Sequence, residues 1–307
     1  MRIGIIGRTL NLLKTAQLLY ENGHEIGFIY TCRSEEHYQA KEKDFENFAT
    51  KIGCPFYNDL KIVSNKASLS SHEVELCVSI NWLTVLPDEI LNAFPHGVLN
   101  AHAGDLPRYR GNACPNWAIL NGEDKIGVCV HKMTKDLDAG PVLNREYFEL
   151  SENTYIADVY EWLNDRLPYM FLNAVSGLES DSQQFEAQDP KIRPLYCFPR
   201  KPQDSRIDWT DSSEDILRLI RASSHPFAGA YSFLETQDLK VVIFRAKAYH
   251  PNFDFLAVPG QLCMSGKTNP IIACSDGLIE LEDISIENES HIGSSNRLMK
   301  SYRNRLR

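Results

Sequence analysis

The chain lacks several features that commonly announce a function. It has no Cys-x-x-Cys pair: Cys32, Cys54, Cys77, Cys114, Cys129, Cys197, Cys263 and Cys274 are scattered, some inside apolar runs such as "ELCVSI" and "GVCVHKM". That argues against a zinc cluster or a disulfide frame, and for small buried hydrophobes in a reducing cytoplasm. No apolar run reaches the roughly 18 residues of a membrane span. The opening "MRIGIIGRTLNLL" is too short and too interrupted for a secretory signal and reads as a first strand. Positive charge is in deficit: 32 Lys and Arg against 41 Asp and Glu leave a formal net charge of −9. Non-specific attraction to nucleic acid or anionic lipid is thereby disfavoured as a main mode of action. There is no G-x-G-x-x-G either; "GIIG" is followed by "RTLN", which speaks against a dinucleotide site.

What is present reads as two domains, the expectation for 307 residues. "RIGIIG", the helically spaced "NLLKTAQLLYENGH" and "EIGFIYT" give β-α-β, the opening of a mostly parallel, Rossmann-like sheet. "SEEHYQAKEKDFENFATKIG" predicts a charged helix with Phe45 and Phe48 on one side. Strands are expected at "VELCVSINWL", "GVLNAH" and "KIGVCVHKM", with helices at "LPDEILNAF" and "NACPNWAILNG". A long helix is expected from "TYIADVYEW" to "SGLES", interrupted or bent at Pro168. The α/β part spans 1–190, and a Pro-rich linker follows over 191–203. Residues 204–307 open with a helix capped at Ser213 and continue as short strands with turn signals, a small β-rich domain. It lacks the aromatic and basic density of a surface for single-stranded nucleic acid.

The chemistry concentrates where the apolar pair Val98-Leu99 stops at Asn100, in "GVLNAHAGDLPRYRGNACP". Alternation puts Asn100 and His102 on one side of a strand, near a carboxyl end where open α/β sheets bind ligands. A neighbouring strand leads into "TKDLDAGPV", which brings Asp136 and Asp138. An amide can donate to a developing oxyanion and an imidazole can move a proton near neutral pH. A buried carboxylate beside the imidazole can fix its tautomer and raise its pKa. From residue types and position alone, a surface or satisfied core histidine is the leading reading of His102.

"NAHAGDLPRYRG" followed by "GVCVHKMTKDLDAGPVL" resembles the folate-dependent formyltransferase family, whose pattern is Asn-x-His before a Leu-Pro-x-Tyr/Trp-Arg-Gly loop, then an Asp in a D-x-G turn. Asn100, His102, Leu106, Pro107, Tyr109, Arg110, Gly111, Asp138 and Gly140 match it. "SRIDWT", "LIRASSHPFAGAYSF" and "PGQL" are similar to the small barrel-like domain that follows the catalytic one. The resemblance implies transfer of a formyl group from 10-formyltetrahydrofolate to an amine, without a metal. Asn100 would stabilise the oxyanion, His102 relay the proton, and Asp138 orient the imidazole. It further implies a folate pocket lined by Thr84, Val85 and Leu86, by Leu106 and Pro107, and by Thr134, Lys135, Asp136 and Leu137. Thr84 to Leu86 also reads as an ordinary strand-to-helix junction.

Within the family the sequence is more similar to the formyltransferase part of the bifunctional 4-amino-4-deoxyarabinose enzyme of lipid A modification than to Met-tRNA formyltransferases. "RGNACPNWAILNGE" keeps an Asn-Trp helix, and "CFPRKPQDSRIDW" resembles an Arg/Pro/Asp linker. The Gly-rich basic insertion that Met-tRNA formyltransferases carry after the second strand is missing. The implied acceptor is therefore a nucleotide-linked amino sugar, as in lipopolysaccharide biosynthesis, with Met-tRNA as the alternative. Tyr109, Arg110, Asn112 and Trp117 would contact it. Asn112 replaces an arginine linked to the sugar nucleotide, which leaves the sugar open. Arg108 and Arg110 read equally as loop braces, and Trp82 and Trp117 as packing. The expected setting is cytoplasmic, with no membrane or nucleic-acid partner and with a homodimer left open.

Overall fold

In the computed structural model of the chain, residues 1–36, 38–264 and 268–307 are described. They fall into two units: 1–114, 125–149 and 160–198 make the first, and 115–124, 150–159 and 199–307 the second.

The first unit grows from apolar runs that a strand can bury on both faces. In chain order its elements are β1 (Arg2–Gly7), α1 (Leu10–Glu21), β2 (Glu25–Thr31), α2 (Glu42–Ile52), β3 (Phe56–Asn58), α3 (Lys66–Ser70), β4 (Leu76–Ile80), α4 (Asp88–Leu91), β5 (Val98–His102), β6 (Arg110–Gly111), α5 (Cys114–Leu120, shared with the second unit), β7 (Lys125–Lys132), β8 (Val142–Glu149), α6 (Ile156–Glu179, also shared) and β9 (Tyr196–Cys197). Seven strands lie in the order β3-β2-β1-β4-β5-β7-β8. Pairing is parallel from β3 through β5. It turns antiparallel where β7 joins β5 and β8 joins β7. This is the mostly parallel, Rossmann-like arrangement expected. Strand order reverses between β1 and β4, and β5 ends one strand further on, so its terminal residues reach the edge where such sheets bind ligands.

Two expectations shift. The charged helix starts only at Glu42: Lys41 donates its backbone N–H to Asp44 Oδ2 at 2.8 Å, and Ser34 donates N–H and hydroxyl to Glu42. Those bonds keep 33–36 and 38–41 out of the helix, and His37 lies outside the described residues. Pro168 does not interrupt α6. The lost N–H bond is outweighed by burial of Leu163, Leu167, Met170 and Phe171 on both sides of it.

The second unit continues with α7 (Ser213–Ser223), β10 (Ala230–Leu234), β11 (Leu239–Tyr249), β12 (Leu262–Met264), β13 (Ile271–Ala273), β14 (Leu278–Ile286) and α8 (His291–Leu298). Its strands form an antiparallel half-barrel sheet in the order β10-β11-β14-β13-β12. Alternation, shifted by an irregularity in the β11–β14 register between Ile243 and Ala246, sends Leu234, Val241, Ile243, Leu281, Ile284 and Ile286 into one core, where Ile216 and Ile220 of α7 meet them. The cap of α7 is Ser212, one residue before the expected Ser213; its hydroxyl accepts from the Asp215 N–H at 3.1 Å.

Candidate active site

Asn100 and His102 stand two residues apart on β5, so both side chains leave the same face. The antiparallel register sets Asn100 opposite His131 and His102 opposite Cys129. Directly opposed residues share a face, so the register adds His131, which the sequence did not single out. Its Nδ1 lies 3.2 Å from the carbonyl oxygen of Lys132, an acceptor only, so Nδ1 carries the hydrogen. Nε2 then presents a lone pair, and Asn100 Nδ2 donates to it at 3.2 Å. That bond fixes which way the Asn100 amide faces and leaves its second N–H for another acceptor.

Asp138 arrives on the turn after β7. Its φ of +48 is the left-handed conformation that Asp tolerates better than most residues. Its Oδ2 accepts from the Gly111 N–H at 2.8 Å and lies 3.5 Å from His102 Nδ1, while Oδ1 lies 3.7 Å from His131 Nε2. His102 is 8% exposed, and its Nε2 stands 2.6 Å from the carbonyl of Tyr109. Each ring nitrogen of His102 thus faces an oxygen that can only accept, so the protonated ring finds a partner for both N–H groups. The turn has a further brace the sequence reading passed over. Gln188 Nε2 donates to the carbonyls of Asp138 and Gly140 at 2.7 and 2.9 Å, and its Oε1 accepts from Arg110 at 2.5 Å.

Asn100, His102 and Asp138 therefore come together. The other named residues divide. Leu86 packs in the core beneath the sheet, and Leu106 is buried with Cys129 and Val142. Pro107 is buried beside Leu106, at one wall of a cleft of about 410 Å³ that Arg145 and Gln188 also line. Val85 and Leu137 are 72% and 55% exposed, and Thr134, Lys135 and Asp136 are exposed with them. Thr84 accepts from Trp82 Nε1 at 3.0 Å. Tyr109 is buried, and Asn112 is exposed with its N–H on the carbonyl of Cys197. Arg110 is held by Gln188 and by Tyr196, whose hydroxyl it reaches at 3.3 Å. Trp117 belongs to the second unit, where the Arg200 guanidinium lies 5.8 Å from its ring centroid. Among the described residues, no cluster of His, Cys, Asp and Glu forms a metal site, and no helix is long and apolar enough to cross a membrane.

His131 carries a pH consequence. Burial first, then the neighbouring His102, pushes its imidazole down to about 4. An unfolded histidine titrates near ~6.5. The folded state keeps its full advantage above that pH and loses it as pH falls towards 4, because the unfolded chain takes up the proton first. The loss is roughly 3 kcal/mol over that window, at ~1.4 kcal/mol per pH unit. Thermal melts of the parent and of His131→Gln across this range are expected to show a shallower acid-side decline for the variant. Equal slopes would remove His131 as the source.

Comparison with known proteins follows the same division. Residues 31–175 match the sequence model of the formyl transferase family, and 200–301 that of its C-terminal domain. A methionyl-tRNA formyltransferase of Roseobacter denitrificans is 28% identical over 291 residues, covering 92% of this chain and 90% of that protein. The bifunctional polymyxin resistance protein ArnA of Wigglesworthia glossinidia brevipalpis is 30% identical over 222 residues, 69% of this chain but only 31% of that longer protein. The N-formyltransferase from Helicobacter canadensis, solved with folinic acid and dTDP-3-aminofucose, shares the fold with a TM-score of 0.69 at 16% identity, over 92% of this chain and 98% of that one.

Proposed function

The chain belongs to the formyl transferase family and is a folate-dependent formyl-transferring enzyme, and from that premise we propose that it formylates the amine of a nucleotide-linked amino sugar, using Asn100, His102 and Asp138. The juxtaposition of those three side chains with His131 carries the reading of the chemistry. 10-Formyltetrahydrofolate supplies the formyl carbon. The exposed apolar side chains of Val85 and Leu137 suit the flat ring system and benzoyl part of such a donor. The free N–H of Asn100 donates to the formyl oxygen as negative charge develops there. His102 takes the proton from the attacking amine, and its two N–H groups then face Asp138 and the Tyr109 carbonyl. Asp138, steadied by Gly111 and Gln188, keeps the ring in place.

The acceptor follows from charge. The chain carries a net −9, and the stretch after β2 sets Arg33, Lys41, Lys43 and Lys51 against Glu35, Glu36, Glu42, Asp44 and Glu46. That is a poor lure for a tRNA backbone, which binds by phosphate neutralisation. A small diphosphate-linked sugar needs only a few local contacts, with Tyr109, Arg110 and Asn112 as the residues we assign to it. The eight free thiols fit a cytoplasmic setting in which formylated sugars are supplied to lipopolysaccharide assembly. A second reading, Met-tRNA formylation, is favoured by the end-to-end match to the Roseobacter protein.

One assay separates them. The enzyme is given 10-formyltetrahydrofolate with either Met-tRNA or a panel of dTDP-, UDP- and GDP-linked amino sugars, at low and moderate salt. Formylation of an amino sugar with little salt effect is expected. Binding through several RNA phosphates instead falls by about 0.7 log units per contact per decade of salt. Efficient formylation of Met-tRNA with no sugar accepted would make the second reading the correct one.

A further inference from the structure

The net charge of −9, which spoke against anionic lipid as a partner, averages over the chain and hides a local excess of the opposite sign. From Ser290 to Arg307 there are five Lys and Arg and no Asp or Glu. Two of the five are neutralised: Arg297 pairs with Glu287 and Glu289, and Arg307 with Asp238. Lys300, Arg303 and Arg305 are exposed and, among the described residues, carry no ion pair.

Local pairing sets these cations beside an apolar loop of the same unit. Asn304 to Arg307 run along both edges of the half-barrel sheet. The Leu262 N–H donates to the Asn304 carbonyl at 3.1 Å and the Leu306 N–H to that of Gly260 at 2.8 Å, while Phe233 and Arg307 exchange bonds at 3.2 and 2.9 Å. Alternation buries Asn304 and Leu306 and turns Arg305 and Arg307 outward. Arg305 lies opposite Gln261, so the two share the outer face, and Cys263, two residues on, leaves by that face as well. Cys263 and Ala257 both pack there on Ile271, Ala273 and Leu278. Ala257 thus anchors the stretch "HPNFDFLAVP", which has a proline near each end. Around that anchor Phe253, Phe255 and Val258 are exposed, and Leu256 is fully so. Solitary exposed apolar side chains are ordinary; four within six positions, beside three unpaired cations, are not.

We propose that this loop and the cations Lys300, Arg303 and Arg305 form a docking surface for an anionic lipid bilayer, on which the protein sits peripherally.

Complementarity names the partner. Lys and Arg meet the lipid phosphates, and the apolar side chains enter the boundary between headgroups and acyl chains. Leu256 and Val258 argue against a polynucleotide, whose bases stack on aromatic rings but give an aliphatic side chain no matching surface. A two-fold contact through the patch would set it against itself, cation near cation. Nearby acids leave the excess standing. Glu280, opposite Ile271, and Glu282 are both taken by Lys247, at 3.5 and 2.7 Å. Asp254 is the one acid between His250 and Gln261. Neither signal holds a protein on a membrane alone, so removing either should release it.

The test uses the full chain, sedimented with vesicles of phosphatidylcholine with and without phosphatidylglycerol. Binding to the anionic vesicles is expected, weakening as salt shortens the Debye length below about 10 Å. Arg303→Glu combined with Arg305→Glu is expected to lower partitioning by about twentyfold or more, and Leu256→Asp by about tenfold or more. All three side chains are exposed, so the variants' melts should match the parent's. No binding to anionic vesicles, equal binding to neutral ones, or unaltered binding in either variant would each overturn the proposal. So would retention of tRNA in place of vesicles, which gives the patch to nucleic acid. A shift from dimer to monomer in Leu256→Asp without vesicle binding would give the loop to a second copy and overturn it as well. Turnover is not the readout, so the outcome is independent of which amine is formylated.

Discussion

His102→Ala is expected to lower the turnover of formyl transfer by about 10²–10⁴-fold, the usual worth of a positioned acid–base group. The chain should remain folded. His102 closes β5, and the strand's apolar residues Val98 and Leu99, both fully buried, stay in place when the ring is removed. What is lost is polar: the Tyr109 carbonyl loses its partner at 2.6 Å, and Asp138 loses one of its two imidazoles. Asp138 keeps the Gly111 N–H, so the turn should hold its shape. Asn100→Ala removes a different contribution, a donor to the developing oxyanion worth about 10²–10³-fold. The two variants are distinguishable by pH. Loss of the proton acceptor should change the shape of the pH–rate profile, whereas loss of Asn100 should lower the whole profile and leave its shape. Near-parental turnover in either variant, with an intact circular dichroism spectrum and melt, would remove that residue from the chemistry.

Legibility in the sequence followed the range of the interaction. The end of β5 was readable because its composition changes within two residues, from Val98-Leu99 to Asn100 and His102. The Asp138 turn was readable because Asp-x-Gly is a local signal, and the second unit because turn residues punctuate short alternating strands. His131 was not. It stands in an apolar run that reads as a buried strand, and only the antiparallel register opposite Asn100 shows where its ring points. Parallel β-α-β units lead one to expect another parallel strand there. Gln188 was hidden for a similar reason. Its partners Asp138 and Gly140 are far away in the chain, and its own stretch, rich in proline and without periodicity, looks like a linker. Arg110 was left between bracing and phosphate contact; it bonds Gln188 and Tyr196, partners that the sequence could not supply.

Gly104→Ala is expected to reduce turnover by roughly 10²-fold, the order seen when reacting groups are misplaced by about 1 Å. In the sequence Gly104 is one small residue in "HAGDLP" and reads as loop. The structure gives it a steric task. A Cβ added there would lie 2.2 Å from the Tyr109 carbonyl oxygen and 2.6 Å from His102 Nε2, the two atoms whose contact orients the ring. Both distances are far below van der Waals separation, so something must yield. The carbonyl belongs to the backbone of a residue that is 4% exposed and held at a φ of +58. Gly104 is fixed from its other side, since its own carbonyl accepts from the Cys129 thiol at 3.3 Å. The imidazole has the softer restraint, so the methyl group should displace His102 and break its contact with Tyr109. Overpacking of this kind costs about 1–3 kcal/mol of stability, which a melt should register as a modest shift. The measurement that matters is the split between the two effects: a folded variant with donor binding retained and turnover collapsed places the damage at His102. Turnover close to the parent's would mean that the Tyr109 loop moves instead, and that the contact at 2.6 Å does not govern the reaction.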